Sequence, residues 1–98
     1  MSNCVPKITT IDRNKKFDND FKKLPIDIQL LAKQAIIALM SHPIPTSLRL
    51  HSLTGYKNPK VFTIDVTSNH AYKISLEING QHARLRRVGT HKVLDASP

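Results

Sequence analysis

The sequence predicts an α+β fold: a helical hairpin packed on a small, mostly antiparallel twisted sheet, in the order β-α-α-β-β-β. Apolar residues recur at helical spacing between Phe17 and Leu39, and they alternate with polar ones between Val61 and Ile78. The Asn79-Gly80 dipeptide marks a hairpin after the second alternating run. With 98 residues, 40% of them hydrophobic, the chain fits one domain built on one modest core. A single unit over residues 1–98 is expected, with 1–6 and 96–98 mobile.

Each element has its own signal. From Lys7 to Asp12 the run KITTID alternates weakly and reads as a short strand. Phe17, Phe21 and Leu24 fall at i, i+4 and i+7, one face of a helix, with Lys15, Lys16, Asp18, Asp20, Lys22 and Lys23 on its solvated side. Pro25 stops that helix or opens the next. From Pro25 to Ser41 a second helix carries Ile28, Leu31, Ala35 and Leu39, with Leu30, Ile37 and Ala38 widening the stripe. Its only charges are Asp27 and Lys33, which predicts a largely buried helix. His42-Pro43-Ile44-Pro45 ends it.

Thr46 to Pro59 reads as a loop, with Gly55, Asn58 and Pro59 as turn signals and Leu48, Leu50 and Leu53 as anchors. Val61 to Val66 alternates, with Phe62, Ile64 and Val66 on one face. Ser68-Asn69 marks a turn. Tyr72, Ile74, Leu76 and Ile78 then alternate against Lys73, Ser75 and Glu77. A last strand runs from Ala83 to Val88, with Arg84 and Arg86 on one face. Arg87 shares the parity of Leu85, so it either reaches a partner at the sheet end or follows a local bulge.

Composition narrows the function. Fifteen Lys and Arg against seven Asp and Glu leave +8 with His neutral, so a polyanion is the first partner to consider. Nine of those cations and three acids fall in residues 28–98, which places +6 there. One cysteine, Cys4, excludes a disulfide framework and a multi-Cys zinc site. The absence of Trp, with five Tyr and Phe in all, argues against an extended base-stacking platform. The longest apolar stretch, Ala35 to Met40, is far short of the roughly 20 residues that span a bilayer. Met1 to Ile8 lacks the apolar segment of a secretory signal, so a soluble cytoplasmic protein is expected.

Four stretches, taken in order, resemble a known family. FDNDFKKLPIDIQLLAKQAIIALMSHP resembles the helical hairpin of the RelE/ParE superfamily of bacterial toxins, the toxic halves of toxin–antitoxin pairs. SLRLHSLTGY resembles its loop, and HAYKISLEING and LRRVGTHKVLD resemble its central hairpin and last strand. The likeness covers roughly residues 7 to 95 and is greatest to the YafQ-like branch. It implies a small toxin held inactive by a cognate antitoxin, cutting messenger RNA in the ribosomal A site with no metal or cofactor. ParE-like members share the fold but poison DNA gyrase, so a non-catalytic gyrase inhibitor is the alternative. A degenerate toxin that only binds its antitoxin or RNA is a third reading.

Metal-free RNA cleavage needs a base for the 2′-hydroxyl, an acid for the leaving 5′-oxygen and cations around the phosphorane. Histidine suits either proton-transfer role. By the resemblance, the catalytic histidines of the YafQ-like branch match His51 in His51-Ser52-Leu53-Thr54-Gly55 and His91 in Gly89-Thr90-His91. The arginine of that branch matches Arg87. Where the branch has a third histidine this chain has Asp65, and its Asp-Trp pair corresponds to Asn69-His70. Lys57, Lys60, Arg84 and Arg86 are the candidate phosphate-binding cations, with His70 beside them.

Each residue also has a plain alternative. His51, His70, His82 and His91 can be solvated, and His42 can complement a helix end. Arg84 and Arg86 can form a solvated sheet face or meet an acidic antitoxin segment. Asp65 can orient His91 or an arginine, or be only an exposed strand residue, which is the reading favoured.

Overall fold

Five strands form one sheet in the order β1-β5-β4-β3-β2. The strands are β1 (Thr10–Arg13), β2 (His51–Lys57), β3 (Lys60–Asp65), β4 (Tyr72–Asn79) and β5 (His82–Thr90), and the helices are α1 (Lys15–Lys22) and α2 (Ile26–Leu39). β1 runs parallel to β5, and every other pairing is antiparallel. The structure, a computed structural model, describes residues 8–41, 44–57, 60–67 and 71–90. At residues 51, 53–57 and 60 the description is of backbone pairing alone.

Asn14 opens α1: its side-chain oxygen accepts from the Phe17 backbone N–H at 2.8 Å, satisfying a donor the first helical turn leaves unpaired. Phe17 is buried, and its ring stacks with Phe21 at 6.1 Å between centroids. Pro25 is the N-cap of α2, and the Gln29 amide donates back to the Phe21 and Leu24 carbonyls, tying the helices at their junction. On its sheet side α2 buries Ala32, Ala35 and Leu39. They join Ile64, Ile74, Leu76, Ala83, Leu85 and Val88 of the strands in one core cluster. The expected parity thus holds in β3 and β4.

Two expectations change. Residues 46–57 are not a loop throughout: a 3₁₀ turn at Thr46–Leu48 leads into β2, which pairs with β3 at the sheet edge. The register shifts between Ser52 and Lys57, and this irregularity hides the alternation that would mark a strand. Nor is α2 largely buried. Ile26, Leu30, Ile37 and Met40 are 70%, 55%, 69% and 45% exposed, because a helix lying on one sheet has only one face to cover.

Asn79 and His82 pair across the β4–β5 hairpin, leaving Gly80 and Gln81 as its two loop residues. Of these only Gly80 has positive φ (64°), the pattern of a type II′ turn. The Gln81 carbonyl accepts from the Thr9 N–H at 2.8 Å and so fastens the approach to β1. No helix among the described residues is long and apolar enough to cross a membrane.

These burials set a contrast within one helix. Leu39→Ala, at a fully buried site, is expected to cost about 2–5 kcal/mol. Ile37→Ala, two residues earlier, is expected to stay within about 0.5 kcal/mol. Urea unfolding of both variants measures the difference, and equal losses would contradict this packing.

Candidate functional site

The strand register assembles a row across the sheet. His51 of β2 pairs with Thr63 of β3, Thr63 with Ser75 of β4, and Ser75 with Arg87 of β5. With strands about 4.8 Å apart, three steps separate His51 from Arg87 by roughly 14 Å of backbone. In the neighbouring row, Asp65 pairs with Lys73, and Lys73 with Gly89. The register therefore places two of the three candidate catalytic residues in a single row.

Thr63 and Ser75, the inner members of the first row, and Asp65 of the second are polar and buried, 2%, 0% and 4% exposed. They alternate with the core residues Ile64, Ile74 and Leu76, and so occupy the other face of the sheet. A solvated face would leave such residues exposed, and an ordinary core would hold apolar ones. Ser75 Oγ has no hydrogen-bond partner among the described residues. Buried hydroxyls are nearly always satisfied, so this one marks an unusual site.

Asp65, expected to be exposed, is buried between two cations. Lys73 Nζ donates to Oδ1 at 2.6 Å, and Arg49 Nε lies 3.4 Å from Oδ2. Arg49 closes the 3₁₀ turn in the left-handed conformation (φ 54°), costly for a residue with a Cβ. Arg49 and Asp65 also line a cavity of about 570 Å³ with Gln34, Thr46, Ser47 and Thr67.

Arg87 both reaches a partner and follows a bulge. Ser75 faces Arg87 while Leu76 faces Leu85, so Arg86 is the extra residue. Arg87 Nε and Nη2 then donate to the two Asp20 carboxylate oxygens at 2.6 and 3.1 Å. The Val88 N–H also donates to Asp20 Oδ2, at 3.3 Å. The hydrogen bond to Asp20 raises the Arg87 pKa, against the opposing effect of burial, so the guanidinium is a fixed cation.

The other basic candidates are placed differently. Arg84 Nε lies 3.2 Å from Asp12 Oδ1, and Arg86 Nη1 donates to Glu77 Oε2 at 2.5 Å. Arg84 is exposed, which fits the solvated-face alternative. Lys57 and Lys60 pair at the end of the β2–β3 hairpin. His70 and His91 lie outside the described residues, His91 directly following Thr90 in the chain. Among the described residues no group of three or more His, Cys, Asp or Glu side chains converges.

No family model matches the chain, and no curated protein matches it significantly. Solved structures do. The RelB–RelE antitoxin–toxin complex of Methanococcus jannaschii contains a chain 29% identical to this one, with TM-score 0.62 over 88% of this chain and 98% of that one. The DinJ–YafQ toxin–antitoxin complex of E. coli gives 17% identity and TM-score 0.68 over 90% and 97%. A copper-bound mutant toxin from Helicobacter pylori gives 20% identity and TM-score 0.68 over 87% and 97%.

Two outcomes test this geometry. Asp65→Ala strands the Lys73 ammonium, and a loss of about 3–5 kcal/mol is expected, most of it recovered when Lys73→Met is added. Denaturant unfolding of the single and double variants reads the coupling, and additive losses would refute the pair. Separately, the hydrogen bond from Arg84, reinforced by its charge and by His82, holds the Asp12 carboxyl below its ordinary pKa. A lowered folded pKa adds stability that is complete above the unfolded value and is lost as pH falls through the folded one. Arg84→Gln should therefore raise the Asp12 midpoint in an NMR titration; an unmoved midpoint would remove Arg84 as the cause.

Proposed function

We propose that this RelE-like chain is the toxin of a type II toxin–antitoxin pair, acting as a metal-independent endoribonuclease that cuts messenger RNA in the ribosomal A site. The observation that carries this reading is the cross-strand row from His51 to Arg87, built around the buried polar residues Thr63 and Ser75. The structural relatives include RelE and YafQ, each solved with its antitoxin, and a cognate antitoxin is accordingly the partner proposed for this chain.

In the proposed reaction the 2′-oxygen attacks the adjacent phosphorus and the bond to the 5′-oxygen breaks. One histidine of the pair His51 and His91 takes the 2′-hydroxyl proton, and the other gives a proton to the leaving 5′-oxygen. Arg87 supplies positive charge to the phosphorane, where charge develops, and Asp20 orients it by taking two of its five N–H donors. Lys57, Lys60, Arg84 and Arg86, with His70, are proposed to hold the message through its phosphates. Such contacts make affinity fall with salt.

Induced expression followed by primer extension on cellular messages tests the reading, with codon-phased cuts expected. His51→Ala and His91→Ala should each lower cleavage by about 10²–10⁴-fold, the usual contribution of a general acid or base. Arg87→Ala should weaken cleavage more than Lys23→Ala, whose side chain is exposed at the end of α1. Undiminished growth arrest by a folded His91→Ala variant would reject the nuclease.

A further inference from the structure

Arg49 holds a backbone conformation that its side chain makes costly. It closes the 3₁₀ turn at φ 54°, where glycine would sit without penalty. Its contact with Asp65 does not require an arginine there. The 3.4 Å pair joins a carboxylate that is 3% exposed to a side chain that is 62% exposed, and Lys73 already meets that carboxylate at 2.6 Å. Pairs as exposed as this contribute little to stability. What the contact does is hold the guanidinium by its Nε edge, at the wall of the cavity that Arg49 and Asp65 both line.

That cavity, of about 570 Å³, lies between α2, the 3₁₀ turn and the end of β3, and has the size of a small-molecule site. Ala35 and Leu48 give it a buried apolar floor, and Ala38 widens it by presenting only a methyl group. Gln34, Thr46 and Ser47 add polar groups. A flat ring with apolar faces and polar edges suits this lining, and a nucleobase is such a ring. The edge chemistry then selects among bases. A guanidinium only donates, and its fork matches guanine, which presents two acceptors, O6 and N7, on one edge. Adenine offers one acceptor and one donor there. Because guanine is neutral, its recognition does not depend on the net charge of the wall, where Asp65 offsets Arg49.

We propose that this cavity takes a guanine base of the message, with Arg49 donating to its O6 and N7. Asp65 lies two residues beyond Thr63 on β3, so the cavity wall stands about 7 Å along the strand from the His51–Arg87 row. A nucleotide flanking the scissile linkage can reach it from there. The source of the base rests on the nuclease reading above; the pocket and its preference for guanine do not.

Calorimetric titration of the full chain with guanosine 5′-monophosphate, adenosine 5′-monophosphate and inorganic phosphate tests the pocket. The guanosine nucleotide should bind about tenfold tighter than the adenosine one, or better, and inorganic phosphate should not displace it. Arg49→Lys should erase this preference while keeping the positive charge. Ala38→Leu should block the nucleotide by filling the cavity with Arg49 intact. Arg49→Gly should lose binding yet unfold at no lower a urea midpoint, since glycine relieves the turn. In primer extension, wild-type cuts should fall beside guanosines, and Arg49→Lys should spread them to other bases. Equal affinity for the two nucleotides, a lowered midpoint for Arg49→Gly, or a cut pattern unmoved by Arg49→Lys would overturn the proposal. Guanosine nucleotide binding that follows these variants in a chain without codon-phased cuts would uphold the pocket and reject the nuclease.

Discussion

Asp20 occupies the place where the sheet would otherwise have an open edge. β1 pairs with β5 only as far as Leu85, and the chain then turns away through Asn14 into α1. Beyond that point the outer edge of β5 has no strand beside it among the described residues. Asp20 meets it there, accepting from the Val88 N–H and from the Arg87 guanidinium. One carboxylate therefore fixes the helical layer against the sheet, satisfies an edge donor and orients the cation of the proposed site. The bulge at Arg86 belongs to the same arrangement, because it sets Arg87 in register with Ser75.

The polar side of the sheet depends on that registration. Apolar positions of β3, β4 and β5 close against the helices, and the intervening positions form rows of hydroxyl and charged groups. Burial makes those rows costly unless they are paired, and Asp65 is paired with Arg49 and Lys73. Ser75 is the exception among the described residues. Its hydroxyl lies at full burial in the row that joins His51 to Arg87.

Much of the architecture was legible in the residues. Phe17 and Phe21 announced α1, the alternations around Ile64 and Leu76 announced β3 and β4, and the polar positions between them foreshadowed the second face. The loop reading of Thr46 to Pro59 failed at residues 51–57 because an edge strand takes its hydrogen bonds from one neighbour and tolerates a broken alternation. The exposure of Ile37 was hidden because composition cannot tell a helix covered on all sides from one covered on a single side. Asp65 carried an unused signal: a hairpin centred on Asn69 sets it opposite Lys73, an opposite-charge cross-strand pair. Arg87 shows the limit of parity, since the sequence offered a distant partner or a bulge and the molecule uses both.

The sheet order also bears on how the molecule comes into being. β5, latest of the strands in the chain, sits between β1, the earliest, and β4. A nascent polypeptide that has not yet extruded residues 82–90 has no partner for its first strand and no floor beneath α1. Helical turns can form early, but the layer they cover closes only when this last strand threads between its neighbours, a long-range step that is slow by nature. Residues synthesised before 82–90 therefore leave the sheet open between β1 and β4, and its closure waits for β5.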